Sequence, residues 1–357
     1  MKTKSTNILY IYTERRSFVQ NDIRLLEGHF KVDAYHFKTS PKHLTPFSFL
    51  RQFFFLLLRG WRYDHIACFF AGYHTVLPAW FARLTGKACV IFLGGTECFN
   101  YPSFGYGNFT RKWYAQATCL SAHSASMLVP VSSNLIESQS AYYTTDSQVQ
   151  GIYHWCRPLD TPYRVISLEY NAELFYPQNV LRKPNSFITV AFGIEGTSFV
   201  RKGIDKVIMI ARHCPEYSFT IIGCRKEDFP VDIPANVEVI PPVPYDTLPD
   251  HYSRHIYYLQ LSIAEGFPSA ICEAMLCGCI PIGSDVAAIP AIVSSFGFLV
   301  PKRDDALILE TVQRAVAEPD KQNLAEGARR HIMDTFGTGK RSQALYELFA
   351  NPNQRLV

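Results

Sequence analysis

Two carboxylates, Glu265 and Glu273, stand eight positions apart on either side of a break in an otherwise apolar stretch. Leu259 to Ala264 reads as a buried strand, Gly266 and Pro268 interrupt it, and Ser269 to Met275 reads as a helix. The first amides of a helix have no intrahelical partner, and the dipole makes that end positive. The amides of Ser269, Ala270 and Ile271 would therefore suit a pyrophosphate. Glu273, one turn beyond Ser269 on the same face, could accept hydrogen bonds from both hydroxyls of a ribose, as the acidic residue of a dinucleotide site does. Glu265, on the strand-end side, would face whatever the pyrophosphate carries. The competing role for Glu273 is capping. A capping box places its Glu three residues after the cap, and here it lies four after Ser269.

The elements around this stretch alternate strand and helix. The first half reads as strands at Ile8–Tyr12, Phe30–Tyr35, His65–Phe70, Ala88–Leu93 and Met127–Val131, with helices near 18–28, 45–60, 74–85 and 111–125. The pattern loosens between Tyr163 and Ser186, where the interdomain crossing is expected. It restarts with strands at Phe187–Phe192, Tyr217–Ile222 and Val237–Ile240, and with Cys279–Ile282 and Gly297–Val300 after the two carboxylates. Helices are expected near 203–213, 289–294, 304–318, 320–335 and 339–350. Such βα alternation argues for parallel, doubly wound sheets with ligands at the carboxyl ends of the strands. Gly94-Gly95-Thr96-Glu97 follows one such strand end. It is a second candidate site, with a plain turn as the alternative.

At 357 residues, 48% hydrophobic and 18% charged, the chain has room for about two domains with large cores. The net charge of +4 conceals an asymmetry: residues 1–172 carry 17 Lys and Arg against 10 Asp and Glu, whereas residues 173–357 carry 18 against 21. A basic first half suggests an anionic partner there, but the density of charge is unlike that of a nucleic-acid binder. None of the ten cysteines forms a CxxC pair and no His or Cys cluster has zinc spacing, so reduced, buried thiols in a cytoplasmic protein are expected. The residues from Met1 to Asn7 lead straight into strand-like sequence, too short for a signal-peptide apolar region. The apolar run from Phe47 to Leu58 has twelve residues, short of the roughly 20 that span a bilayer. A core helix is the first reading and monotopic insertion the second, favoured by Arg51, Arg59 and Trp61.

The segment Glu265-Gly266-Phe267-Pro268 through Glu273-Ala274-Met275, continuing into Cys277-Gly278-Cys279-Ile280-Pro281-Ile282, resembles the signature of family 4 glycosyltransferases. The resemblance includes Arg201-Lys202-Gly203-Ile204-Asp205, similar to the family's element whose lysine binds donor phosphates, and covers residues 187 to 301 best. It implies a GT-B fold, an α/β architecture of two Rossmann-like doubly wound domains facing a central cleft. The expected division is an acceptor-binding domain at 1–172, a linker at 173–186, a nucleotide-sugar domain at 187–335 and a C-terminal helix at 336–357 packing back on the first domain.

The resemblance further implies a glycosyltransferase that moves a sugar from a UDP- or GDP-linked donor to an acceptor hydroxyl, with retention, in bacterial surface-polysaccharide or glycolipid assembly. Glu265 and Lys202 would be catalytic. Arg201, Gly266, Phe267, Ser269, Ala270, Ile271, Glu273 and Gly193 would bind the donor, and Gly94, Gly95, Thr96 and Glu97 would lie on the acceptor or sugar side. No cofactor or metal is expected, since Lys202 and the helix amides would stabilise the departing diphosphate. No residue stands out as a covalent nucleophile. A saccharide or lipid-linked saccharide acceptor is expected, with peripheral membrane contact through the basic first domain, on the inner face of the cell membrane. Three departures from the family pattern are visible: Ile194 rather than Arg after Gly193, Ala287-Ala288-Ile289-Pro290-Ala291 without the acidic residue, and Thr13 to Phe18 in place of a glycine-rich loop. A non-catalytic nucleotide-sugar binder and a sugar-nucleotide 2-epimerase of the same fold are the alternatives.

Overall fold

The computed structural model describes residues 6–41, 43 and 45–350, which fall into two compact units, each built on its own parallel sheet. Met1–Ser5, at the start of the stretch read as too short for a signal peptide, and residues 351–357 of the expected C-terminal segment lie outside the described residues. The first unit takes in the described residues up to Ser138, Val149–Leu168, and those from Gly339 on. The second takes in Gln139–Gln148 and Glu169–Thr338.

In the first unit β1 (Asn7–Tyr12), β2 (Lys31–His36), β3 (His65–Phe69), β4 (Ala88–Leu93) and β5 (Met127–Pro130) pair in the order β2-β1-β3-β4-β5, all parallel. The β3 and β5 strands are buried throughout, and β1 and β4 at every position but the first. Continuous apolar runs of this kind belong to strands covered on both faces. The covering helices are α1 (Ser17–Glu27), α2 (Thr45–Arg59), α3 (Tyr73–Thr85) and α4 (Lys112–Ser124). Right-handed crossovers put α1 on one face of the sheet and α2, α3 and α4 together on the other. A short helix, α5 (Ile152–Trp155), ends at Cys156, which is bonded to Cys119 of α4. This disulfide corrects the expectation of reduced cysteines throughout. The two residues are 37 positions apart and only the fold brings them together, whereas the eight free cysteines are buried as expected.

The second unit holds β6 (Ser186–Val190), α6 (Ser198–Arg201), α7 (Ile204–His213), β7 (Ser218–Ile222), β8 (Val237–Ile240), α8 (Leu248–Ser253), β9 (Tyr257–Gln260), α9 (Ser269–Leu276), β10 (Ile280–Ser284), α10 (Ile289–Val293), β11 (Phe298–Val300), α11 (Asp305–Ala317) and α12 (Lys321–Phe336). Its strands run parallel in the order β8-β7-β6-β9-β10-β11. In terms of the unit's own strands this is 3-2-1-4-5-6, the order of a doubly wound dinucleotide-binding sheet. Strand order reverses between β6 and β9, and in sheets of this kind ligands bind at the carboxyl ends of the strands at such a reversal. The β9 strand stops at Gln260, earlier than the apolar run suggests. Leu261 to Ala264 are buried as loop instead, held against the α6 turn by a bond from the Ile263 amide to the Arg201 carbonyl (2.8 Å).

The last helix, α13 (Lys340–Ala350), packs beside α1 in the first unit. Its Arg341 is fully buried and makes a two-pronged bond to buried Asp22 of α1, at 2.6 and 2.7 Å. The guanidinium also donates to the Ile166 and Ser167 carbonyls, and the Tyr10 hydroxyl donates to Asp22. A buried charge pair is tolerable only when satisfied this completely.

Candidate active site

At the reversal point of the second sheet the chain assembles most of the residues singled out by spacing. Gly203 has φ +74°, and a Cβ on it would collide with the Leu261 carbonyl. Glycine therefore lets the start of α7 sit directly on the loop after β9. That contact sets Lys202 and Arg201 beside Leu261–Glu265, where Arg201 Nη1 reaches the Ala264 carbonyl at 3.4 Å. The Lys202 ammonium donates to the Phe192 carbonyl in the loop after β6, next to Gly193, itself at φ +63°. Burial lowers the Lys202 pKa from the usual lysine value, and the nearby Glu265 charge opposes the shift. Glu265 is half-buried, and its Oε1 accepts from the Ser262 hydroxyl (2.9 Å) and the Gln260 amide (3.4 Å). Ser284 of β10 donates to the Ser262 carbonyl (2.6 Å), so the loop carrying Glu265 is pinned on both sides.

The α9 helix begins at Ser269 after Pro268, and no side chain caps it. The amides of Ser269, Ala270 and Ile271 thus have the open arrangement that suits an anion. Phe267 stacks on Tyr170 and meets Phe336 edge-on, fixing the loop with Gly266 at the helix entrance. The Ser269 hydroxyl bonds to the Tyr170 hydroxyl at 3.0 Å rather than to the helix end.

Glu273 is buried, and both of its oxygens are engaged. The Tyr245 hydroxyl donates to Oε1 at 2.9 Å and the Tyr252 hydroxyl to Oε2 at 3.2 Å. Burial pushes its pKa up to about 7, against the lowering effect of those two bonds. Neither bond goes to a backbone amide, so Glu273 is not a cap. Tyr252, in α8, is completely buried, whereas Tyr245 is 54% exposed and rests edge-on against Phe175. Neither tyrosine was singled out from the sequence: they lie 28 and 21 residues before Glu273, with no local pattern linking them.

Gly94, Gly95, Thr96 and Glu97 belong to the first unit, at the carboxyl end of β4. Gly94 is needed for close approach, since a Cβ there would press on the Phe70 ring. Glu97 turns back into its own loop, Oε1 accepting from the Gly94 amide (2.7 Å) and Oε2 from the Gly95 amide (3.1 Å). Burial raises its pKa to about 7 despite these bonds. The loop borders a cavity of about 590 Å³ whose walls include Thr13, Glu14, Arg16, Tyr73, Asn108 and Tyr114. The loop between β1 and α1 therefore contributes Thr13, Glu14 and Arg16 to this cavity, while Tyr73, Asn108 and Tyr114 were missed because they bring no motif of their own. His74, also in the wall, bonds through Nε2 to the Phe69 carbonyl at 2.9 Å, and burial lowers its pKa to about 4.

Residues 196–331 match the family model of glycosyl transferases group 1. No curated protein matches the chain significantly by sequence. Among solved structures, the sucrose-phosphate synthase of Thermosynechococcus elongatus superposes with a TM-score of 0.71 at 16% identity, covering 97% of this chain and 98% of that one. Anabaena Alr3699/HepE in complex with UDP-glucose gives 0.68 at 14% identity, covering 97% and 99%. The lipopolysaccharide outer core galactosyltransferase WaaB in its apo form gives 0.65 at 15% identity, covering 97% and 100%. The chain has the GT-B fold, and the stretch that matches the group 1 model lies within its second unit.

Proposed function

We infer that the protein is a glycosyltransferase of the family 4 type, transferring a sugar from a UDP- or GDP-linked donor to an acceptor hydroxyl. The observation that carries this reading is the meeting of Lys202 and Glu265 at the reversal point of the second sheet, beside an uncapped α9 with Glu273 one turn inside. In this reading the α9 amides hold the pyrophosphate, Glu273 the ribose and Glu265 the donor-sugar hydroxyls. Lys202 and Arg201 neutralise the charge that develops as the diphosphate leaves. No residue is placed as a covalent nucleophile. Transfer then proceeds with retention on one face of the sugar, the departing phosphate taking the acceptor's proton, without need of a metal. The cavity of the first unit, rich in hydroxyl and aromatic walls, takes a saccharide or lipid-linked saccharide. Polysaccharide or glycolipid assembly in the cytoplasm, at the inner face of the cell membrane, is the setting that fits such an acceptor.

The deciding experiment incubates purified protein with a panel of nucleoside diphosphate sugars. Slow release of free diphosphate from one donor, abolished by Lys202→Ala, is the expected result. An isomerised donor would replace the reading with an epimerase, and binding without turnover would replace it with a non-catalytic binder.

A further inference from the structure

The α2 helix is inside out. Its buried side chains are Gln52 and Leu56, and the Gln52 amide donates to the His74 carbonyl at 2.9 Å. Phe47, Leu50, Phe54, Leu57 and Leu58 are all 49% exposed or more, and Trp61 just beyond the helix is 60% exposed. These six positions recur at helical spacing, so they form one stripe on the side turned away from the core. Single exposed apolar residues are ordinary, but a contiguous apolar stripe marks an interaction surface.

The stripe does not stand alone. The α3 helix packs against both α2 and α4 in one layer, and Trp61 meets Phe81 of α3 edge-on at 5.6 Å. From α3 the same layer exposes Trp80 and Leu84, the latter at 87%, and from α4 it exposes Trp113 and Leu120. The opposite face of the sheet is covered differently. There α1 exposes Ser17, Gln20, Arg24 and Glu27, and Tyr346 is the only large apolar side chain exposed on α13 among the described residues.

Charge selects the occupant. The sequence from Ala34 to Ile136 contains nine Lys and Arg but only two acidic residues, and none of α2, α3 and α4 contains an acid. Those two acids are spoken for: Asp64 accepts from the Asn7 amide, and Glu97 from Gly94 and Gly95. Arg51, Arg59, Arg62, Arg83, Arg111 and Lys112 are exposed along the layer. A second copy of this chain placed on the face would bring like charges together. An anionic bilayer matches both features, because leucine and phenylalanine enter the acyl boundary while tryptophan rings and arginine heads sit among the headgroups. At 15 residues α2 is about 22 Å long, and no helix among the described residues is long and apolar enough to cross a membrane.

We propose that the α2–α3–α4 layer is a docking face that seats the first unit on an anionic lipid surface, with α2 lying in the plane of the interface. The face is argued from the first unit alone and needs no assignment of the sugar donor.

The test is co-sedimentation of the full-length protein with phosphatidylcholine vesicles with and without phosphatidylglycerol, alongside light scattering in solution. Two variants are compared: Phe54→Ser/Leu58→Ser, which thins the stripe, and Arg59→Gln/Arg62→Gln, which thins the charge. All four positions are exposed, so the melting temperature should hold. The wild type should bind phosphatidylglycerol vesicles and release them at about 0.5 M salt. The apolar variant should lose at least about tenfold in partitioning, and the arginine variant about fivefold per residue removed. Absence of binding to either vesicle, or equal binding by both variants and the wild type, overturns the proposal. So does a wild-type oligomer that the apolar variant dissociates, which would assign the face to self-association. Because vesicle binding is read without sugar transfer, its failure is separate from failure of the transferase reading.

Discussion

The loop at Gly94–Glu97 and the helix at Ser269–Leu276 each hold a buried glutamate whose pKa burial lifts to about 7, yet the two carboxylates are differently committed. Glu97 is closed on its own loop by the Gly94 and Gly95 amides, three and two residues away. Those partners cannot leave without unmaking the turn. Glu273 is held by tyrosine hydroxyls from distant segments, one of them, Tyr245, on a half-exposed short turn. A hydroxyl that can swing out can be exchanged for a ligand hydroxyl, whereas a backbone amide of the same turn cannot. By this criterion Glu97 shapes its loop, and Glu273 is the carboxylate with an exchangeable partner, as the proposed donor site requires.

The largest effect should come from Glu273→Ala. Loss of two charge-assisted bonds to a ribose diol should weaken binding of the selected donor roughly 100-fold in titration calorimetry. Glu97→Ala should leave that affinity unchanged, and equal losses in the two variants would erase the distinction.

Glu97→Gln should act on stability. An amide side chain can accept from one glycine amide but turns its NH₂ toward the other, costing about 1–3 kcal/mol at pH 5. Burial raises the pKa of folded Glu97 to about 7, against 4.5 for an ordinary glutamate. The native state therefore holds the extra proton between these values, and this residue's contribution to stability falls as pH rises through that window. Glu273 acts in the same sense, while His74 and His255, lowered by burial to about 4, act in the opposite sense between 4 and 6.5. The wild-type profile is thereby flattened. The difference from Glu97→Gln isolates one carboxyl, and the stability gap should close between pH 5 and 8; a gap that stays constant would mean that Glu97 is ionised throughout.

The contrast between these two regions also marks what could be read from residues alone. The strands Ala88–Leu93 and Val237–Ile240 lie where apolar runs bounded by turn residues put them, and the Glu265–Glu273 stretch follows from strand–loop–helix order, whereas only the family resemblance puts Lys202 beside it. What escaped was tertiary. Tyr245 and Tyr252 carry no local signal, because a hydroxyl–carboxylate contact has no period. The disulfide joins residues 37 apart without a spacing rule. The apolar residues Leu261–Ala264 extend the look of a strand beyond Gln260 because a buried loop and a buried strand draw on the same residue types. For α2, hydrophobicity revealed that faces would be buried but not in what. The core took Gln52 and Leu56, and the core-helix reading of the Phe53–Leu58 run gives way to an outward apolar stripe.

A smaller effect concerns the proton on Glu273. Only the ionised carboxylate accepts from both ribose hydroxyls, and its folded value is about 7. Donor affinity should therefore rise about tenfold from pH 6 to 8 and then level off. In Glu273→Gln the rise should vanish; if it persists, the titrating group is elsewhere.

The smallest change is also the most discriminating. Tyr245→Phe removes one hydroxyl from Glu273 Oε1 and leaves the ring on Phe175 and the bond from Tyr252 in place. If Tyr245 stands where the ribose must bind, the wild type has to break this hydrogen bond before the donor can form its own. A buried bond to a charged acceptor is worth about 1.5–3 kcal/mol when nothing replaces it, but here a ribose hydroxyl replaces it in the complex. Only the competition is removed, and affinity should rise roughly two- to fivefold, consistent with the modest net value of such an exchange. Without donor, the variant leaves one oxygen of a buried carboxylate unpaired, so its melting temperature should fall and donor should restore more of it than in the wild type. Should Tyr245→Phe instead weaken donor binding, the tyrosine belongs to the donor site as a positioning group, and Glu273 meets the ribose with its hydroxyl partner still attached.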